Sequence, residues 1–486
     1  MKAPVRVVIA DDHPVVRAGL QGMLAGRPEV LVVGEASDGE EAVQRCRELQ
    51  PDVVLMDLRM PRTDGVAATE RLRSVCPQTR VLILTTYDGE LDIDRAVSAQ
   101  LGRLAHSTLL GLSHPPSIEL AEQLVGLAPP GLEHVFYSDS GSTAVEVALK
   151  MAYQYHQAPL TATAPRPTDA PPAPTRHRFL ALTDAYHGDT LGAVSVGGID
   201  LFHKIFSPLL FHTLRTAPTL PALEAAFAAH GHELCAFVVE PLIQGAAGML
   251  VQPAGFLARA RQLCDEHGVL LIADEVATGF GRTGTMFACE QEGVSPDFLC
   301  LAKGLTGGYL PLAATLTTEA VYRRFLGPRS ERRAFFHGHT YTGNPLACAA
   351  ALANLEIFAR EQTIKSLPAK VETLTQLLEQ NFGPQHPHVR AVRQRGLMVG
   401  IELGRTPAES YPMELLVGAR VCERVRDYGV ILRPLGDVVV LMPPLCMSAA
   451  ELGTLLQAAR RAVDEICAEC EPQQRGTPTA KAAVGL

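Results

Sequence analysis

The chain has 486 residues, 47% of them hydrophobic and 20% charged, the balance of a globular protein long enough for roughly two to four structural units. A formal charge of -9 without a basic stripe argues against a general nucleic-acid binder, and no apolar run approaches membrane-spanning length, so neither nucleic acid nor membrane is expected as a partner. Eleven cysteines lie scattered among apolar segments, which fits buried thiols in a reducing compartment. Residues 1–6 lead into no signal-peptide h-region, and the expected location is the cytoplasm. The lone CxxC, Cys467 and Cys470, has no second pair to make a metal site.

Residues 5–10 (VRVVIA) read as a buried strand ending in Asp11 and Asp12. Segments 31–34, 53–56 and 81–84 read as further strands, with Asp57 closing the third and Thr85 and Thr86 closing the fourth. Helical patterns between them make a βαβα series, which builds a parallel sheet. Side chains at the carboxyl ends of such strands meet at one edge. Asp11, Asp12 and Asp57 are therefore expected to crowd together, where a cation such as Mg2+ would offset their charge. An aspartate beside such an ion is suited to accept a phosphoryl group. The stretches IADDHPVVRAGL (9–20), VVLMDLRMP (53–61) and VLILTT (81–86) resemble the receiver domain of bacterial response regulators. That resemblance implies Asp57 as phospho-acceptor, Asp11 and Asp12 beside it as metal ligands, Thr85 as the switch hydroxyl and a histidine kinase as partner. The family also has a fifth strand, carrying a lysine, and a fifth helix. Here the pattern stops near residues 94–97, which leaves an unpaired edge at the fourth strand and apolar surface uncovered.

From about residue 98 the character changes. A helix is expected over 117–127, then a strand at 135–138, a Ser/Gly turn and a helix over 144–155. Free N–H groups and hydroxyls at that helix start either bind phosphate or form an ordinary Ser/Thr N-cap. Residues 159–174, rich in Pro, Ala and Thr, read as a surface insertion without a core. Strand 179–182 leads to Tyr186, His187 and Asp189. Strand 236–239 leads to Glu240, strand 269–273 to Asp274 and Glu275, and strand 298–301 to Lys303. Taken alone, a lysine at the end of an apolar strand usually snorkels to the surface; removed from water, its amine becomes a nucleophile. The set suits pyridoxal phosphate (PLP). Lys303 would form the Schiff base, and Asp274 would hold the ring nitrogen protonated. Gly141 and Ser142 would take the phosphate, and Tyr186 would stack on the ring. His187 is expected to support Tyr186 and the local turn.

Residues 98–468 resemble the class III aminotransferases of fold-type I. The stretches that carry this are DSGSTAVEVALKMA (139–152), AYHGDTLGA (185–193), EPLIQGAAGM (240–249), IADEVATGFGRTG (272–284), LAKGLTGGYLPLAATLTT (301–318), HGHTYTGNPLACAAA (337–351) and ILRPLGDVVVLMPP (431–444). Ala277, where many relatives have glutamine, and the run Thr315, Leu316, Thr317, Thr318 resemble one branch in particular. That branch uses S-adenosylmethionine to aminate 8-amino-7-oxononanoate in biotin synthesis; an ornithine- or aminobutyrate-like ω-amine is the alternative substrate. The resemblance implies a homodimer in which Lys303 is the Schiff-base lysine and proton carrier, Asp274 pairs with the ring nitrogen and Val276 packs on the ring. It further implies phosphate contacts from Gly141, Ser142 and, across the dimer, Thr340. Asp189, Gly338 and Arg433 would contact substrate, Arg433 through a carboxylate. It also implies an N-terminal wall of the substrate pocket, with a tyrosine and a tryptophan pair, that the receiver-like segment replaces; the chain has no tryptophan. The junction reads either as two joined gene fragments with impaired activity or as a phospho-signalling fusion.

The expected architecture is α/β throughout: an incomplete flavodoxin-like receiver at 1–97, a PLP-binding large domain of fold-type I at 98–355 and a small C-terminal α+β domain at 356–470. The last of these is expected to hold helices at 369–380, 413–428 and 449–468 and a strand pair, 397–402 with 438–442. Residues 471–486 have the composition of a disordered tail.

Overall fold

The computed structural model describes residues 4–57, 60–84, 88–157, 176–199 and 204–470. The expected insertion at 159–174, the tail at 471–486 and the Thr85 hydroxyl lie outside the described residues. The chain forms two compact units, 1–95 and 96–486.

In the first unit β1 (Val5–Ala10), α1 (Pro14–Leu24), β2 (Val30–Ala36), α2 (Gly39–Leu49), β3 (Val53–Asp57), α3 (Gly65–Val75) and β4 (Arg80–Leu84) follow one another. The strands are parallel, in the order β2-β1-β3-β4. Asp38 and Asp64 cap α2 and α3 by accepting the N–H groups of Glu41 and Ala67. Ala42, Val43 and Cys46 of α2 pack with Val8, Val54 and Met56 into a small core. On the other side, α1 buries none of its residues. Among the described residues β4 is an edge strand, as the shortened pattern predicts. Helix α4 (Asp88–Leu101) continues past residue 97, where that pattern ends.

The second unit begins with α5 (Pro115–Leu127), β5 (Leu132–Ser138), α6 (Gly141–His156), β6 (Arg178–Leu182), α7 (Leu191–Val196), β7 (Thr213–Thr216), α8 (Leu220–His230) and β8 (Leu234–Val239). A small hairpin, β9 (Ile243–Gln244) and β10 (Leu250–Val251), precedes α9 (Phe256–His267), β11 (Leu270–Asp274), β12 (Phe298–Leu301), β13 (Ala313–Thr318), α10 (Glu319–Tyr322) and α11 (Pro345–Arg360). Seven strands form one sheet in the order β5-β13-β12-β11-β8-β6-β7. Only β13 runs against its neighbours. The sequence pattern hid β13, because Ala-Ala-Thr-Leu-Thr-Thr has neither an apolar run nor alternation. Thr315 and Thr317 are buried nonetheless, and Thr315 Oγ1 donates to the Ala144 carbonyl of α6 at 2.8 Å. Every residue of β8 is buried, so the sheet is covered on both faces.

The C-terminal part holds α12 (Thr363–Phe382), β14 (Val389–Arg395), β15 (Met398–Leu403), α13 (Val417–Arg424), β16 (Arg433–Leu435), β17 (Val438–Leu441) and α14 (Ala449–Cys470). Its antiparallel sheet, β14-β15-β17-β16, contains the expected pair β15 and β17 and adds two strands. The single helix expected over 413–428 is broken. Leu416 adopts a left-handed backbone (φ 48°), which stops a 3-10 turn before α13 can start.

Candidate active site

The parallel strands of the large sheet deliver their carboxyl ends to one edge, and the register puts the candidate residues there. Ala273 pairs with Val239 and Asp274 with Cys300, so Asp274 stands between Glu240 and the turn that carries Lys303. That turn is tightly set. Lys303 itself has a left-handed backbone (φ 42°), a strained conformation for a side-chain-bearing residue. A Cβ at Gly304 would meet the Phe280 Cβ at 2.8 Å, so only glycine fits behind the lysine. Asn354 of α11 donates to the carbonyls of Gly304 (2.8 Å) and Leu305 (3.1 Å), holding the turn from beneath. The Lys303 side chain is exposed, against the expectation of an ammonium taken out of water. The strand end aims it outward past the buried Ala302, so its placement comes from the turn rather than from burial.

Asp274 is buried at the end of β11 and makes two contacts. Its Oδ1 accepts the Val276 N–H at 3.0 Å, and its Oδ2 lies 2.7 Å from Nδ1 of the buried His187. The sequence reading had His187 supporting Tyr186; its ring instead turns inward onto Asp274. Burial works to lower the His187 pKa, but the hydrogen bond and charge of Asp274, with the charge of Glu240, outweigh it and raise the pKa. Glu240 is buried too, and desolvation pushes its pKa up to about 7. It accepts the N–H groups of Tyr186 (3.2 Å) and Gly245 (3.0 Å). Tyr186 is half-buried and donates its hydroxyl to Asp189 at 2.9 Å; burial first, then Asp189, pushes the phenol up to about 12.

At the start of α6 the Ser/Gly turn forms the N-cap, and two backbone donors beside it stay outside the helix's own hydrogen bonds. Ser140 and Thr143 form a reciprocal capping box, while the N–H groups of Gly141 and Ser142, in the first turn, have no intrahelical acceptor. A Cβ on Gly141 would stand 2.5 Å from Val276 Cγ1. Ser142 Oγ lies 2.7 Å from Thr190 Oγ1 and accepts the Thr190 N–H at 3.0 Å. Gly188, with φ +111°, packs against the same serine. A closed circuit results: Ser142 to Thr190 and Gly188, His187 to Asp274, Asp274 to Val276, and Val276 back to Gly141. Such a ring surrounds a buried carboxylate and a helix N-terminus with fixed donors, the chemistry needed for a protonated ring nitrogen at one end and a phosphate at the other.

The remaining candidates lie further out. Gly338 (φ +149°) and Thr340 are exposed in the loop before α11, where the neighbouring His339 is 3.8 Å from Asp139. Arg433 opens β16 and is exposed; among the described residues it has no ion pair. Sequence reasoning missed Asn354 and gave Glu240 no role. For Asn354 no local signal exists, since its partners are carbonyls 49 and 50 positions away.

In the first unit the register of Ala10 with Met56 brings Asp11 and Asp57 to adjacent strand ends, both buried. The ligand atoms of Asp11, Asp12 and His13 lie within 4.8 Å of one another, whereas Asp57 falls outside that cluster. His13, which carried no assignment, sits 2.9 Å from Asp12.

Residues 90–463 match the family model described as aminotransferase class-III, and residues 7–103 match that of the response regulator receiver domain. The adenosylmethionine-8-amino-7-oxononanoate aminotransferase of Nitratidesulfovibrio vulgaris is 55% identical over 394 residues, covering 76% of this chain and 70% of the relative. The enzyme of the same description from Geobacter sulfurreducens is 48% identical over 398 residues, covering 77% and 84%. Among solved structures, the enzyme so described from Methanocaldococcus jannaschii aligns with a TM-score of 0.72 at 43% identity, over 77% of this chain and 85% of that one. An amine transaminase from an uncultivated Pseudomonas species, solved in its PLP-bound form, aligns with a TM-score of 0.69 at 34% identity, over 78% and 87%. Among the described residues no helix is long and apolar enough to cross a membrane. With a receiver domain at its N-terminal end, the chain belongs to the PLP-dependent class III aminotransferases.

Proposed function

We propose that the second unit transfers the amino group of S-adenosylmethionine to 8-amino-7-oxononanoate, in the cytoplasm and as a homodimer. The circuit around Asp274, beside the turn that presents Lys303, carries this reading, and relatives of that description at 55% and 48% identity support the substrate pair. The residues fit PLP: a buried carboxylate for the ring nitrogen, a glycine that leaves room beside Val276, and a helix N-terminus for the phosphate. Bound there, PLP supplies the electron sink for the charge left when a Cα proton departs. Gly141 and Ser142, joined by Thr340 of the second subunit, hold the phosphate. Val276 and Tyr186 fix the ring plane. The Lys303 amine removes and returns the proton at the substrate Cα. Asp189 and Gly338 line the substrate end, and Arg433 is placed to accept a substrate carboxylate.

Purified protein supplied with PLP should develop a visible absorption band and convert 8-amino-7-oxononanoate with S-adenosylmethionine in preference to ornithine or aminobutyrate. Absence of the band rejects the cofactor site; a preference for an ω-amine rejects the substrate pair alone.

The buried neighbours Asp11 and Asp57 favour a second reading, for the first unit only: Asp57 accepts a phosphoryl group from a histidine kinase, with Mg2+ held by Asp11, Asp12 and Asp57. Acetyl phosphate should label the protein and fail to label Asp57→Asn. An unlabelled wild type removes this reading.

A further inference from the structure

The His187–Asp274 contact carries an inference of its own, which rests on the PLP reading above. A buried histidine kept for packing and fold would satisfy both ring nitrogens. His187 does not. Its Nδ1 meets Asp274 at 2.7 Å, while its Nε2 is buried and has no hydrogen-bond partner among the described residues. The ring is held in that pose from both sides. Before it, the Tyr186 N–H is bound by the buried Glu240 carboxylate at 3.2 Å. After it, Gly188 adopts φ +111° with Ser142 so close that a Cβ would stand 2.5 Å away. Glu240 is fixed in turn by the Gly245 N–H at 3.0 Å. Four elements thus converge on one imidazole: the ends of β6, β8 and β11 and the start of α6.

We infer that His187 is a positioning residue for transamination: it aims the Asp274 carboxylate at the cofactor's ring nitrogen, and Glu240 holds His187 in place. The charged and titratable groups acting on the ring are Asp274 from β11 and Glu240 from β8. Each favours the protonated imidazole, and a proton on Nδ1 facing Asp274 makes the ring a donor to that carboxylate.

The test compares His187→Phe, which keeps volume and loses the donor, with His187→Asn, whose amide nitrogen can donate to the same oxygen. Three readouts are taken on each: the PLP dissociation constant, the pH midpoint of the cofactor's visible band, and kcat beside KM. In His187→Phe the dissociation constant should rise roughly tenfold, the band midpoint should move by about one pH unit, and kcat should fall roughly tenfold with KM little changed. His187→Asn should recover most of each. Glu240→Gln, which removes the charge and can accept only one of the two backbone N–H groups, should move the midpoint in the same direction by less. If His187→Phe lowers only the melting temperature, with cofactor affinity and band midpoint unchanged, the histidine is structural and the inference fails. If Phe and Asn are equally damaging, the donor role fails. A wild type that forms no band overturns the PLP reading itself, and the inference with it.

Discussion

The chain contains two α/β sheets, one parallel and one parallel but for β13, that use the same device, polar residues at strand carboxyl ends, and differ in how each sheet is closed. In the second unit β13 is inserted between β5 and β12, α6 lays seven buried residues against the sheet, and β8 is buried throughout. In the first, β4 is an edge among the described residues and α1 buries nothing. The electrostatics follow the packing. Glu240 and Glu275 have pKa values pushed up to about 7 by burial. Glu41 of the first unit, near solvent, is instead lowered, by its hydrogen bonds from Ser37. Deep burial is what pushes a carboxyl up, and hydrogen bonds near solvent are what bring one down.

The largest effect expected is chemical. Lys303→Ala should lower transamination by roughly a thousandfold or more and remove the visible band, because no other described lysine stands at this edge. Residual activity within tenfold of wild type would mean the edge is not the site. Next comes packing. Phe237→Ala in β8, at a fully buried position, should cost about 3–5 kcal/mol in urea unfolding. A cost below about 1 kcal/mol would place the second sheet's closure in doubt.

How much of this was legible in the sequence depended on the range of each cause. Asp274, Lys303 and Gly141 each follow or precede an apolar run, so strand ends and turns announce them locally. β13 did not announce itself, because its buried threonines are matched by distant carbonyls, Thr315 by that of Ala144 and Thr317 by that of Asp297. The inward turn of His187 was equally hidden: its partner Asp274 is 87 positions away, and nothing near residue 187 says which way the ring faces. Asn354 is the same case. Sequence patterns report burial and chain direction; hydrogen bonds between distant strand ends leave no periodic trace.

A smaller effect sharpens the electrostatic contrast. Glu275 is fully buried and accepts N–H groups from Ala288 (2.7 Å) and Cys289 (2.8 Å), yet desolvation still raises its pKa from 4.5 to about 7. Between these values the folded state keeps a proton that the unfolded chain has released. The group's contribution to stability is therefore full below pH 4.5 and is lost as pH rises through 7, a change on the order of 3 kcal/mol. Glu275→Gln removes that slope. Urea unfolding of wild type and variant across pH 4.5–7.5 should show the wild type losing ground steadily against the variant, and Glu240, present in both, cancels. Parallel curves would refute the assignment.

The smallest effect tests the other side of the comparison. On α1, Val15 is 82% and Met23 74% exposed, and both edge strands expose a leucine, Leu31 at 48% and Leu82 at 49%. Apolar side chains already in water gain nothing from folding, so removing them should cost nothing. Serine and glutamine also match valine and methionine closely in helix propensity. The double substitution Val15→Ser, Met23→Gln should therefore leave unfolding free energy within about 0.5 kcal/mol of wild type while reducing concentration-dependent association in light scattering. A loss above about 1 kcal/mol would show that something covers α1 in solution, and the first sheet would then be closed by a contact of its own.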